Sequence, residues 1–278
     1  MYLKPKTLDE AVSLLAAGSG QILAGGTDFY PSLGERVPPE EVVDISSVGE
    51  IRGIRMEADH FRIGGLTTWS EVMRAALPRC FDGLKAAARE VGSVQIQNRG
   101  TVAGNLCNAS PAADGVPPLL ALDAEVELAS AAGVRRMPLA EFIVGNRKTR
   151  RRHDEILAGV LVPRKLEQAA SAFLKLGARR YLVISIAMVA AVVRADGAGC
   201  VEEARVAVGS CSVVARRLLQ LERELAGRPV RNGLGEVVKA EHLGPLAAID
   251  DVRATADYRV DASLTLVRRA LDECARNC

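Results

Sequence analysis

Ile22-Leu-Ala-Gly-Gly-Thr-Asp28 and Asn98-Arg-Gly-Thr-Val-Ala-Gly-Asn-Leu-Cys-Asn-Ala-Ser-Pro-Ala-Ala-Asp114 are the two stretches whose reading decides how this chain folds. In the first, an apolar strand runs into two glycines and then two small hydrogen-bonding side chains. Glycine takes positive φ without strain, so backbone N–H groups here can converge on a phosphate, and Thr27 adds a hydroxyl donor. An ordinary tight turn has the same composition, and the segment alone leaves both readings open. The second stretch holds three Asn, two Gly, Ser, Thr and Asp in seventeen residues. With few bulky apolar anchors, ordering it without a bound partner is costly. Backbone donors near Thr101, Gly104 and Asn105 can hold a second phosphate, and Asp114 can accept hydrogen bonds from sugar-like hydroxyls; a structural loop rich in Asx-turns is the alternative. Neither stretch is a P-loop and neither is the GxGxxG fingerprint opening a helix, which disfavours a nicotinamide Rossmann domain. Two phosphate-cradling bends about 75 residues apart imply instead a pyrophosphate gripped by two subdomains, as a large dinucleotide requires.

Working outward, Thr7 to Ala17 reads as an amphipathic helix capped by Thr7, Gln21 to Ala24 as a short strand, and Glu41 to Ile45 as a second, buried one. Phe61 to Gly65 reads as a strand and turn, followed by a helix capped by Thr68 or Ser70 and stopped by Pro78, then a helix over Leu84 to Val91. Leu119 to Leu128 and Ile156 to Val162 read as strands. The composition turns polar around Pro163 to Gln168, which is the expected boundary. Beyond it, strands over Phe173 to Leu176, Ile184 to Val193 and Val206 to Val208 precede helices over Val213 to Leu225, Glu236 to Leu243 and Leu264 to Ala275, an α+β layer.

The 278 residues are 49% hydrophobic with a net charge of +2, enough to bury a core and without the basic surface that nucleic acid or an anionic membrane requires. No signal peptide and no bilayer-length apolar run is read; the longest, Tyr181 to Val193, is too short. Six scattered cysteines with no CxxC pair fit reduced thiols in a cytoplasm and argue against an iron–sulfur centre in this chain. His60, His153 and His242 read as lying in polar loops or on helix surfaces without metal-ligand spacing, so no metal site and no catalytic residue is assigned. Trp69 reads as packing. The run Arg147-Lys-Thr-Arg-Arg-Arg152 reads as a solvated basic loop, with an acidic partner or cofactor phosphates as the other uses.

With the two bends, four further segments complete a pattern: Pro117-Pro-Leu-Leu-Ala-Leu-Asp-Ala-Glu-Val-Glu-Leu128, Lys148-Thr149 with Asp154-Glu-Ile-Leu157, Phe173-Leu-Lys-Leu-Gly-Ala-Arg-Arg180, and Asp251-Val-Arg-Ala-Thr-Ala-Asp-Tyr-Arg259. In this order they resemble the FAD-binding medium subunit of the xanthine dehydrogenase and aerobic carbon monoxide dehydrogenase family of molybdenum hydroxylases, over nearly the whole chain. The resemblance implies an α+β protein: a two-subdomain FAD-binding fold of the vanillyl-alcohol-oxidase type over residues 1–165, with subdomains of about 1–55 and 56–165, then a small α+β domain over 166–278. It implies that Ile22, Leu23, Ala24, Gly25, Gly26, Thr27 and Asp28 wrap the FAD pyrophosphate. Thr101, Gly104, Asn105 and Cys107 would line its other side, and Asp114 would bind ribityl or ribose hydroxyls. Leu157 would pack on the cofactor, and Lys175 would sit near the flavin's polar edge, where a cation stabilises reduced flavin. By itself Lys175 reads as a solvated strand residue.

Two departures stand out. Ala103 replaces the first glycine of the family's usual Thr-Val/Ile-Gly-Gly-Asn, which calls into question a positive φ there. Ala-Gly-Gly-Thr-Asp replaces the Ala-Gly-Gly-His-Ser of carbon monoxide dehydrogenases and tilts the comparison toward the xanthine dehydrogenase or aromatic-hydroxylase branches. The inserted cysteine-bearing loop of 4-hydroxybenzoyl-CoA reductases has no counterpart here.

The function implied is electron transfer. A molybdopterin-binding large subunit oxidises substrate, two [2Fe-2S] clusters on a small subunit carry the electrons, and FAD on this chain passes them to NAD or another acceptor. The rivals are a stand-alone flavin-dependent reductase or oxidase of the same FAD fold, such as a UDP-N-acetylenolpyruvoylglucosamine reductase, and a subunit that has lost its cofactor, which only Ala103 favours.

Overall fold

The computed structural model describes residues 1–18, 20–37 and 39–278. Among the described residues three larger sheets follow one another along the chain, each with its own helices, and a two-stranded one lies before the last strand of the second.

The first is a small parallel sheet of β1 (Tyr2–Leu3), β2 (Gln21–Leu23) and β3 (Val42–Asp44) in the order β1-β3-β2. Helix α1 (Leu8–Ala17) makes the crossover that parallel pairing demands. Thr7 caps it by accepting from the Glu10 amide, and Ala11, Val12 and Leu15 turn inward against Val43 and Ile45. A short helix α2 (Phe29–Leu33) follows β2 across the bend at residues 24–28.

The second sheet is antiparallel and comprises β4 (Ile54–Met56), β5 (His60–Gly64), β6 (Glu125–Ser130), β7 (Gly133–Pro138) and β10 (Ile156–Pro163) in the order β4-β5-β10-β6-β7. Between β5 and β6 come five helices: α3 (Trp69–Arg74), α4 (Asp82–Glu90), α5 (Val94–Arg99), α6 (Val102–Asn108) and α7 (Val116–Ala121). Thr68 and Glu71 form a capping box at the start of α3. After β7, α8 (Leu139–Phe142) leads into a hairpin of β8 (Ile143–Gly145) and β9 (Lys148–Thr149), which carries the basic run.

The third sheet is antiparallel, with β11 (Ala170–Leu176), β12 (Ala187–Ala195), β13 (Val201–Gly209) and β14 (Arg216–Arg217) paired in sequence order. Helices α9 (Leu219–Leu225) and α10 (Ala256–Asn277) complete the layer. Strand β12 is unbroken apolar sequence from Ala187 to Val193 because both its faces are buried there. Met188, Ala190 and Val192 pack into the core shared with α4 and α7, while Ala187, Val189, Ala191 and Val193 pack with Val267, Ala270 and Leu271 of α10.

Five expectations need correction. The strand expected over Ile184 to Val193 starts only at Ala187. The region Leu119 to Leu128 is not one strand: α7 ends at Ala121, and Asp123 takes φ +52° to turn the chain into β6. The Val213 to Leu225 segment is helical only from Leu219, because Arg216 and Arg217 pair with Val208 and Ala207. The Glu236 to Leu243 segment forms two short 3₁₀ turns, Leu234–Val237 and Ala240–Leu243. The second glycine-bearing stretch is less open than its composition implies, since α5 and α6 occupy most of it.

Candidate cofactor site

The two glycine-bearing bends meet. A Cβ on Gly25 would collide with the carbonyl oxygen of Arg99 and lie 3.1 Å from Gly100 Cα, so the approach is backbone to backbone and only glycine permits it. Gly26 takes φ +78° and lets the chain turn toward Tyr30. Among the described residues, the backbone N–H groups of Gly25, Gly26, Thr27 and Asp28 donate to no protein acceptor. Four consecutive free amides on a half-exposed bend are donors available to an anionic ligand.

The other bend is fixed from below. The Trp69 amide donates to the Gly100 carbonyl at 3.2 Å, and the Val102 amide donates to the Thr67 carbonyl at 2.9 Å. Thr101 caps α6 by accepting from the Gly104 amide at 2.9 Å. The Trp69 ring is buried under this region, and a Cβ on Gly115 would run into its indole. Asn105 keeps its side-chain oxygen buried without a donor among the described residues. A buried orphan acceptor on α6 and four unsatisfied amides on the facing bend suit a ligand carrying both phosphates and hydroxyls, and a flavin dinucleotide has both. Ala103 lies within α6 and needs no positive φ; an alanine suits a helical position better than a glycine does.

Asp114 and Lys175, taken separately from the sequence, form one unit. Lys175 Nζ donates to Asp114 Oδ2 at 2.8 Å, with side-chain exposures of 6% and 10%, so Lys175 is not a solvated strand residue. The ammonium also donates to the Glu90 carbonyl at 3.3 Å. Ser185, which nothing in the sequence marks, donates to Asp114 Oδ1 at 2.7 Å. Burial pushes the Asp114 carboxyl above the usual carboxylate range, against the pull of Lys175 and Ser185, and the Glu90 charge adds to the push.

The remaining residues sit less directly. Cys107 lies on α6, and burial pushes its thiol up to about 11, so it is a neutral packing group. Leu157 is buried in the interior of β10, and its carbonyl abuts Gly65. Leu23 is buried, while Asp28 is exposed and makes no side-chain cap bond to α2. The basic hairpin reaches this region too: the Arg147 amide donates to the Ala109 carbonyl at 2.9 Å, and its guanidinium contacts Asn108.

Two other places invite a ligand and do not suit one. Glu224, Glu241 and His242 offer ligand atoms close together. However, His242 Nδ1 accepts from the Lys239 amide at 3.0 Å, which leaves the ring proton on Nε2, facing Glu224 Oε2 at 3.1 Å, where a metal would have to bind. His60 and His242 are buried rather than on polar surfaces, held by tertiary packing that sequence does not show. A cleft of about 570 Å³ beside β7 and β10 is lined by Arg136, Lys165 and Arg217. Each of these cations is already paired, with Glu127, Asp123 and Glu222 respectively.

Comparison with known proteins gives the family. Residues 1–165 match the family described as FAD binding domain in molybdopterin dehydrogenase, and residues 172–274 match the CO dehydrogenase flavoprotein C-terminal domain. The nicotinate dehydrogenase FAD-subunit of Eubacterium barkeri is 37% identical over 237 residues, covering 82% of this chain and 80% of that one. The putative xanthine dehydrogenase FAD-binding subunit of Escherichia coli K12 is 32% identical, covering 98% of this chain and 94% of its own length. A solved carbon monoxide dehydrogenase from Hydrogenophaga pseudoflava superposes with a TM-score of 0.91 at 28% identity, over all of this chain and 97% of that one. No helix among the described residues is long and apolar enough to cross a membrane. The chain therefore belongs to the FAD-binding medium subunits of the xanthine dehydrogenase and carbon monoxide dehydrogenase family of molybdenum hydroxylases.

Proposed function

We propose that this chain transfers electrons within a molybdenum hydroxylase: it takes them from [2Fe-2S] clusters on a small partner subunit and delivers them through FAD to NAD or another acceptor. Substrate is oxidised at molybdopterin on a large partner subunit, and the assembly works in the cytoplasm. The chain divides near residue 165 into the FAD-binding domain, with subdomains of about 1–55 and 56–165, and a C-terminal domain over 166–278.

The observation that carries this reading is the row of four unpartnered amides at Gly25 to Asp28, seated against the turn at Arg99 and Gly100. In this reading residues 22–28 hold the pyrophosphate by backbone donation, and Thr101, Gly104, Asn105 and Cys107 line its far side. Asp114 uses the second lone pair of each oxygen for sugar-chain hydroxyls while staying paired to Lys175. Leu157 supplies apolar contact, and Lys175 provides positive charge for the reduced ring. FAD, when bound, supplies the exchange between single electrons and two-electron hydride chemistry. The E. coli and H. pseudoflava relatives bear the names of parts of larger enzymes, an FAD-binding subunit and a medium chain, which supports a subunit rather than a self-sufficient reductase.

The test is cofactor retention. Protein made in flavin-replete cells is expected to show visible flavin absorption and to release FAD on denaturation, and the stripped protein to rebind FAD in preference to FMN. Saturation with FMN and not FAD overturns the pyrophosphate assignment.

A further inference from the structure

Ser185 lies outside every strand and helix, between β11 and β12, yet it is only 1% exposed. Its hydroxyl has one job there. It donates to Asp114 Oδ1, while the other carboxylate oxygen accepts from Lys175. Asp114 comes from the turn after α6, Lys175 from β11, and the carbonyl that also accepts from Lys175 from Glu90 at the end of α4. Four separate pieces of chain thus converge on one buried ion pair. The Ser185 backbone is pinned in turn through its neighbour: the Ile186 amide donates to the Leu176 carbonyl at 2.7 Å, and the Ile186 carbonyl accepts from Arg259 at 2.6 Å.

We propose that Ser185 is a positioning residue for the flavin reaction, one that fixes Asp114 so that Lys175 stays paired and charged at the cofactor site. This inference rests on the FAD reading above. A buried carboxylate without enough donors takes up a proton in preference to bearing a desolvated charge. The charged groups facing Asp114 are Lys175, which favours its ionised form, and Glu90, which opposes it. Ser185 supplies the remaining donor. While Asp114 is ionised it offsets part of the Lys175 charge that the ring meets. Once Asp114 is protonated, an uncompensated ammonium remains, which stabilises negatively charged reduced flavin and raises its potential. The hydroxyl of Ser185 therefore sets the pH at which the flavin begins to sense this pair.

The experiment follows the midpoint potential of bound FAD against pH in the wild type and in Ser185→Ala, Ser185→Thr and Asp114→Asn. In Ser185→Ala the inflection is expected to move up by about one pH unit, the worth of one hydrogen bond to a charged group. Ser185→Thr, which keeps the hydroxyl, should restore the wild-type curve, and Asp114→Asn should lack the inflection. Wild-type and Ser185→Ala curves that superimpose, with FAD bound to both, overturn the inference and leave the FAD reading standing. Failure of the wild type to bind FAD instead overturns the FAD reading, and the flavin-free protein then decides about Ser185. Between the ordinary Asp range and the raised value of Asp114 the folded state holds the extra proton, so stability falls as pH rises. In Ser185→Ala that fall should extend to higher pH in thermal melts; identical melting profiles overturn the role of Ser185 there as well.

Discussion

The backbone of Gly25 lies so close to the carbonyl of Arg99 that no side-chain atom fits between them. The contact joins the bend after β2 to the turn between α5 and α6, and both partners are main chain, which cannot swing aside. Gly25→Ala is therefore expected to force the bends apart, lowering stability by about 2 kcal/mol or more and abolishing FAD retention. Gly49→Ala, where an added Cβ meets nothing within 4 Å, is the control. Flavin-to-protein absorbance ratios and thermal melts read both; a Gly25→Ala protein retaining full flavin would refute the cradle.

Ala103 departs from the family pattern without cost. Because it is helical, Ala103→Gly is expected to destabilise by about 0.5–1 kcal/mol and to leave FAD affinity unchanged. Denaturant titration and flavin binding check the two halves separately.

Glu155 gives an acid-sensitive contact. Its burial works to raise the carboxyl, but hydrogen bonds from Arg135 and the Arg152 amide outweigh that and hold it below the usual carboxylate range. A depressed value in the folded state means that the contribution is present above the ordinary Glu range and is lost as pH falls through it. Glu155→Gln should therefore melt at lower temperature than wild type at neutral pH, with the gap closing on acidification. A gap independent of pH would show that Glu155 is not ionised in the fold.

Arg259 anchors the C-terminal tail. Its guanidinium is buried, donating to the Ile186 carbonyl at 2.6 Å, to the Ser210 carbonyl at 3.3 Å and to Asp251 Oδ1 at 2.6 Å. Arg259→Ala is expected to cost about 3 kcal/mol, since it strands two carbonyls and a carboxylate. Arg259→Lys should recover little, because an ammonium cannot reproduce the fork. Equilibrium unfolding of the two variants measures this.

Features that depend on local chemistry were legible before any coordinates. Thr7 caps its helix, Thr68, one of the two caps that the sequence offers, caps another, and the apolar run through Val189 is a strand. The two glycine segments could be recognised because positive φ and close backbone approach leave a mark in composition. What escaped depends on partners distant in sequence. Asp114 and Lys175 lie 61 positions apart, and Ser185 is an unremarked serine in an apolar stretch until Asp114 is placed beside it. Leu119 to Leu128 reads as one strand because the apolar helix α7 runs directly into the alternating β6, and the backbone turn at Asp123 has no glycine to announce it. His242 looked like surface because its burial comes entirely from tertiary packing.

Strand β12 turns one row of side chains toward α4 and α7 and the opposite row toward α10. It acts as a party wall: neither room keeps its lining if the other is demolished. Truncation before residue 170 would strip α4 and α7 of their apolar covering, so the amino-terminal fragment should aggregate rather than survive as a minimal flavoprotein.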